Sequence, residues 1–235
     1  MELNEFTKKS DKKMKPEENI KQYPDYESGE QEKTLKVAEP LVAYGSQGYS
    51  YADYLTWTDD TMREIIGGIV YAFSAPFRNH QETTISFLKK ALPFISRRKG
   101  RCKIYTAPFD VRLPTNGETA DDKIYNVVQP DICVVCDLSK LDEKGCIGAP
   151  DLIVEVISPS TSKRDLNEKF SLYEKTGVGE YWVVYPNDKA VVVFILKPNG
   201  KYDNGTTYDL IIGPGKVPVK TLKGLIIDLK ELFED

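Results

Sequence analysis

The chain has 235 residues, 40% of them apolar and 29% charged, which suits a globular domain of ordinary size. Thirty-two basic against thirty-six acidic residues give a net charge of -4 and an isoelectric point near 5.3, which excludes a generally basic coat and leaves only a local basic groove. No apolar run approaches the roughly 18 residues of a membrane span, and the opening MELNEFTKKSDKKMKPEE lacks the apolar stretch of a secretory signal; a cytoplasmic protein without membrane association is expected.

Residues 1–37 hold eight lysines and nine acidic residues with no sustained apolar period. Such a segment buries too little apolar area to offset its ordering entropy and reads as a flexible N-terminal tail. Residues 38–235 read as a single domain. SYADYLTW predicts a short helix, and MREIIGGIVYAFSAP predicts two strands pivoting on Gly67-Gly68. Between Asn79 and Arg98, Ile85, Leu88, Ala91, Leu92 and Ile95 predict the buried stripe of a helix. Strands are expected in CKIYTAPFDVRL, in the long run IYNVVQPDICVVCD and in DLIVEVIS.

A second helix, capped by Ser162 and closed by Gly177, would bury Leu166, Phe170 and Tyr173. EYWVVYP and AVVVFILK read as strands joined through Asn187-Asp188, followed by a hairpin at Asn204-Gly205 and the ending LKGLIIDLKELF. Helices and strands mix without a βαβ repeat or a G-x-G-x-x-G fingerprint. The predicted class is α+β or mixed α/β, a mixed sheet flanked by helices, and a dinucleotide-binding fold is disfavoured.

Cys133 and Cys136 spell C-x-x-C, but no second pair follows and the only histidine, His80, is far upstream. A structural zinc site takes four ligands. Cys102, Cys133, Cys136 and Cys146 are therefore read as small apolar packing residues.

Two carboxylates occupy surroundings hostile to charge. Asp131 opens the apolar run ICVVC, and Glu155 lies inside LIVEVIS. Burying a carboxylate costs several kcal/mol unless it is paired or metal-bound, so Glu155 needs a cation, a donor or a cleft; an ion pair or an edge-strand position would satisfy it without any chemistry. Asp131 and Glu155 hold corresponding places on two strand-like runs, twenty-four residues apart. Pairing those strands would bring the carboxylates together, and a hard cation such as Mg2+ or Mn2+ would relieve their repulsion.

QPDICVVCD, followed by GAPDLIVEVISPSTSKRDLNEKFSLYEKTGVGEYWVVYP, resembles the Uma-two family of the PD-(D/E)XK nuclease superfamily. The resemblance runs from about Tyr51 to the C-terminus and is densest from Val127 to Pro186. It implies a restriction-endonuclease-like fold and a metal-dependent endonuclease that hydrolyses the phosphodiester bonds of DNA. Asp131 matches the aspartate of PD and Glu155 the acidic residue of (D/E)XK, both as ligands of Mg2+ or Mn2+. The lysine expected two positions on is replaced by Ile157, and Lys169 on the following helix matches a lysine typical of the family. The reading from spacing alone is an Asp165–Lys169 pair on a solvated helix face. Lys169→Ala would abolish cleavage and leave the fold nearly intact, with Lys163→Ala doing much less. Where the family often has Asp-Gly-Glu, this chain has Gly67-Gly68-Ile69, and Glu64 or Glu82 could supply the missing carboxylate.

Accessory candidates complete the set. His80 is a base, a phosphate contact or a structural residue; Gln129 aligns water; Asp151, four residues before Glu155, supports the strand entry. An endonuclease working as a homodimer on DNA is the leading reading. A catalytically silent nuclease-like module binding DNA or protein, or a structural self-association protein, are the alternatives, since fold does not establish activity.

Overall fold

The computed structural model describes residues 48–73, 75–97, 101–157, 165–211, 213 and 215–234; the expected tail over 1–37, the Ser162 cap and Lys163 lie outside them. Helix α1 (Tyr51–Tyr54) begins with a reciprocal cap, the Ser50 hydroxyl accepting from the Asp53 amide and the Asp53 carboxylate from the Ser50 amide. Strands β1 (Met62–Ile66) and β2 (Ile69–Phe73) form a hairpin. Its two-residue turn needs positive φ at both positions, which Gly67 (59°) and Gly68 (81°) adopt without steric cost.

Helix α2 (Arg78–Arg97) buries Thr83, Thr84, Phe87, Ala91 and Ile95. The expected stripe is only partly right: Ile85 and Leu92 are exposed. Phe87 meets Trp182 edge-to-face at 5.8 Å between ring centroids, and that large contact sets which face turns inward.

Two six-stranded mixed sheets carry the α/β class. The first joins β1 and β2 to β4 (Val111–Arg112), β5 (Val127–Val128), β7 (Leu141–Asp142) and β8 (Gly145–Ile147), in the order β2-β1-β5-β4-β8-β7. The second comprises β3 (Lys103–Thr106), β6 (Ile132–Val135), β9 (Leu152–Val156), β10 (Glu180–Tyr185), β11 (Ala190–Ile195) and β12 (Thr206–Asp209), in the order β12-β11-β10-β9-β6-β3. The long run IYNVVQPDICVVCD is thus two strands in two sheets, broken at Gln129-Pro130-Asp131. Pro130 has no amide to give a ladder, and the chain changes sheets there. A turn of π-helix (Asp165–Lys169) leads into α3 (Phe170–Thr176), which ends at Gly177 in the left-handed conformation. The reversal after β11 closes through a Leu196–Tyr202 bridge rather than at Asn204-Gly205, which instead leads into β12. A small hairpin of β13 (Lys216–Pro218) and β14 (Ile226–Asp228) precedes α4 (Leu229–Phe233).

Period two divides the second sheet between two cores. Even-numbered Ile132, Val134, Leu152, Val154, Trp182 and Val184 pack on the side of α2, β13, β14 and α4. Odd-numbered Cys133, Ile153, Tyr181 and Val183 pack against Val111, Val128 and Cys146 of the first sheet and Leu172 and Tyr173 of α3. Asp131 and Glu155 are odd-numbered too, and so belong to the side facing the first sheet.

The cysteine expectation needs correction. Cys102 and Cys136 extend the β3–β6 register by one position and are joined by a disulfide, their Cα atoms 3.9 Å apart. The partner of Cys136 comes from a neighbouring strand, which spacing within C-x-x-C cannot reveal. Cys133 and Cys146 are buried free thiols. No helix among the described residues is long and apolar enough to cross a membrane.

Candidate active site

The β6–β9 register Ile132↔Val154, extended by one residue, sets Asp131 opposite Glu155 on the face toward the first sheet. The Asp131 carboxylate reaches across, its Oδ2 accepting from the Val156 amide at 2.7 Å. The same oxygen lies 2.9 Å from His80 Nε2, which the first turn of α2 presents. His80 thus joins the site through Asp131, and its Nδ1 is buried without a hydrogen-bond partner among the described residues.

Glu155 is 3% exposed and would be untenable alone. Lys169 Nζ lies 2.9 Å from its Oε1, and the Tyr173 hydroxyl donates to the same oxygen at 2.6 Å. Lys169 is itself only 3% exposed and also lies 2.8 Å from Glu64 Oε1. The reading of Lys169 as part of a solvated helix face is therefore replaced by a buried ammonium shared between Glu155 and Glu64. The π turn explains the difference: its wider hydrogen-bonding step rotates the downstream residues relative to an α-helix, so Lys169 turns inward while Leu166 is exposed.

Glu64 comes from β1 in the first sheet, and the Gln129 amide donates to its Oε1 at 2.8 Å. The Gln129 side chain points elsewhere. Its Nε2 donates to Tyr54 Oη at 3.0 Å and Asp110 Oδ1 at 2.9 Å, and the Tyr51 hydroxyl donates to Asp110 Oδ2 at 3.0 Å. Helix α1 is thereby tied to the corner between the sheets. Burial, reinforced by the Asp110 charge, pushes the Tyr54 hydroxyl up to about 12 and Tyr51 higher still. Burial likewise holds Tyr173 well above the usual phenol range, with the Glu155 charge adding to it; Tyr173 remains a donor at neutral pH.

Two carboxylate candidates stand apart from the cluster. Glu82 pairs with Arg78 at 3.6 Å on the exposed side of α2. Asp151 accepts from the Cys136 amide at 2.7 Å and ties the entry of β9 to the end of β6. Tyr173 and the Tyr51–Tyr54–Asp110 network went unread in the sequence: Tyr173 registers there as stripe apolarity, and a hydroxyl's partner on a distant strand leaves no local signal.

The donor set fits a hard divalent cation. Among the described residues, Glu64 and Glu155 both meet the Lys169 ammonium and Asp131 stands opposite Glu155, a set of hard carboxylate oxygens. No group of three or more His, Cys, Asp or Glu residues among the described ones is placed to hold a metal ion. Mg2+ does not need such a group: it keeps several waters and usually takes one or two protein carboxylates.

Comparison with known proteins agrees with the fold. A crystal structure of "a putative nuclease belonging to DUF820 from Anabaena variabilis ATCC 29413" superposes with a TM-score of 0.62 at 18% identity, over 79% of this chain and 97% of that one. The two share a mixed α/β architecture. The family model described as "Uma2: Putative restriction endonuclease" matches residues 51–214, and the chain belongs to that family. The "Uncharacterized protein slr1290" of Synechocystis sp. is 29% identical over 123 residues, 52% of this chain and 60% of that relative's length.

Proposed function

We propose that the chain is a Mg2+-dependent DNA endonuclease, with Mn2+ able to replace Mg2+, in which Asp131 and Glu155 hold the ion and Lys169 serves the phosphate. The observation that carries this is the buried Lys169 ammonium, 2.9 Å from a Glu155 that stands opposite Asp131 in the sheet register. When bound, the ion supplies Lewis-acid polarisation of the phosphate and a lowered pKa for water. The chain's own residues do the rest. Lys169 and Tyr173 fix Glu155 Oε1 from two sides, so that its orientation needs no reorganisation during reaction. The Val156 amide and His80 do the same for Asp131 Oδ2. Glu64, anchored by the Gln129 amide, holds Lys169 in line with Glu155. Lys169 places positive charge beside the position where charge develops on the phosphate.

One site per chain cuts one strand. The reading therefore includes a twofold homodimer for double-strand cleavage and action in the cytoplasm. Light scattering at high micromolar concentration, with and without a DNA duplex, should give twice the chain mass in at least one condition; a monomer in both removes the dimer.

The decisive experiment is nicking of supercoiled plasmid with Mg2+, with Mn2+ and with chelator, for the wild type and Glu155→Gln. That substitution leaves Glu64 paired with Lys169 and keeps an acceptor for Tyr173, so folding should persist. Cleavage should need the metal and fall roughly 10²–10³-fold in the variant. A folded wild type that cleaves neither supercoiled nor single-stranded DNA with either ion sinks the endonuclease and leaves the silent binding module.

A further inference from the structure

Beside the carboxylate–lysine cluster lies a pocket of about 630 Å³ that none of Glu64, Asp131, Glu155 or Lys169 lines. It sits between the β1–β2 turn, the segment leading to β5, and the helix that carries Lys169. Its volume falls in the range of small-molecule sites, roughly 300–1,000 Å³. One wall is rigid. The Gly67 amide donates to Asn126 Oδ1 at 2.8 Å and the Gly68 amide to the Tyr125 carbonyl at 2.9 Å, which bolts the β1–β2 turn to the opposite segment.

The lining has three chemistries. Ile66 and Leu172 give apolar surface, with Tyr125 as an aromatic wall. Lys123 and Lys175 stand exposed on the rim, Lys123 at 3.8 Å from Asp122, and Glu118 is an exposed carboxylate beside them. Glu168 completes the wall, and its Oε2 is buried without a hydrogen-bond partner among the described residues. Such an oxygen carries a desolvation cost that a donor from an occupant would relieve.

We propose that this pocket binds an unpaired guanine nucleotide, Glu168 accepting from the base and Lys123 or Lys175 meeting its phosphate. A carboxylate seeks two adjacent donors. Guanine presents N1–H beside its exocyclic amine, whereas adenine and cytosine place a ring acceptor next to theirs and thymine flanks its one N–H with carbonyls. Ile66, Leu172 and Tyr125 suit the faces of a planar base, since every base stacks on an aromatic or apolar wall. The Watson–Crick edge is available only in single-stranded or extruded DNA, so the occupant is an unpaired base. Glu168 immediately precedes Lys169, so an occupied pocket would set which nucleotide lies beside the cluster. The proposal extends the nucleic-acid reading of that cluster and rests on it, but its test uses no cleavage.

The test titrates the full chain with dGMP, dAMP, dCMP and TMP in the absence of divalent metal, by calorimetry or by chemical shift. dGMP should bind at least tenfold more tightly than dAMP. Glu168→Gln, which turns a donor toward guanine's donors, should erase that preference with an unchanged melting curve. Equal binding of dGMP and dAMP, or a preference that survives Glu168→Gln, overturns the proposal. Metal-dependent plasmid cleavage together with unselective mononucleotide binding removes this inference and spares the endonuclease. A Glu168-dependent dGMP preference in a chain that cleaves nothing sustains the pocket and removes the endonuclease.

Discussion

A lysine with 3% exposure between two glutamates is a folding element as much as a chemical one. Removing one partner of a buried ion pair typically costs about 3–5 kcal/mol, because the remaining charges keep their desolvation penalty and lose their compensation. Lys169→Ala should therefore lower the denaturant midpoint sharply as well as end cleavage, against the expectation of a nearly intact fold. Lys169→Met keeps the volume but still takes the ammonium away from two buried carboxylates, so it should recover little of the lost stability. Denaturant titration of both variants checks this, and wild-type stability in Lys169→Ala would show that the pairing contributes nothing to folding. The buried tyrosines give a pH window. A phenol whose folded pKa is raised contributes stability that is whole below its ordinary value near 10 and is lost as pH rises toward the folded value, about 12 for Tyr54. The melting temperature should hold up to about pH 10 and fall above it, and Tyr54→Phe should flatten part of that fall. An identical alkaline profile for Tyr54→Phe would remove Tyr54 from the account.

At the scale of elements, the short α1 matters beyond its four residues, because Tyr51 and Tyr54 grip Asp110 and, through it, the Gln129 side chain at the corner between the sheets. A four-residue helix has almost no intrinsic stability and depends on its ends and its packing. Ser50→Ala removes the acceptor for the Asp53 amide, at a typical cost of about 1 kcal/mol. Hydrogen exchange should quicken across α1 and at the Gln129 amide while β9 and β10 stay protected. Unchanged exchange at Gln129 would separate α1 from the site. The π turn makes the complementary point. It sacrifices regular helix geometry, and the residue it turns inward is Lys169.

For the whole molecule, the Cys102–Cys136 bond ties the edge strand β3 to β6 across 34 residues of sequence. By the chain-entropy account, closing a loop of that length contributes about 3–4 kcal/mol. Reduction should lower the unfolding midpoint accordingly, and Cys102→Ser should reproduce the effect without reductant. No difference between oxidised and reduced protein would mean that the edge strand holds without the bond. Cys133 and Cys146 should resist alkylation until unfolding. Burial pushes Cys146 up to about 11 and Cys133 further, so neither offers a thiolate at neutral pH. Cytosolic disulfides are uncommon, so thiol trapping of the chain from intact cells also tests the cytoplasmic part of the proposal.

The residues alone determined the local elements: the strands of LIVEVIS and EYWVVYP, the Gly67-Gly68 turn, the helices α1, α2 and α3 but not α4, and the conflict between Glu155 and its apolar neighbours. These are readable because side-chain direction along a strand or helix comes from spacing within a few residues. The family resemblance marked Asp131, Glu155 and Lys169 but not how they meet. Tertiary structure decided the features that no local period carries. Phe87 and Trp182 settled which face of α2 turns inward. The corner at Pro130 put one continuous apolar run into two sheets, and the packing of those sheets carried Glu64 from β1 to Lys169. Cys102 found Cys136, and Tyr173 found Glu155, across strands and helices far apart in sequence. Hydrogen bonds, ion pairs and disulfides between distant residues depend on register and layer order, and those arise only when the sheets and helices pack together.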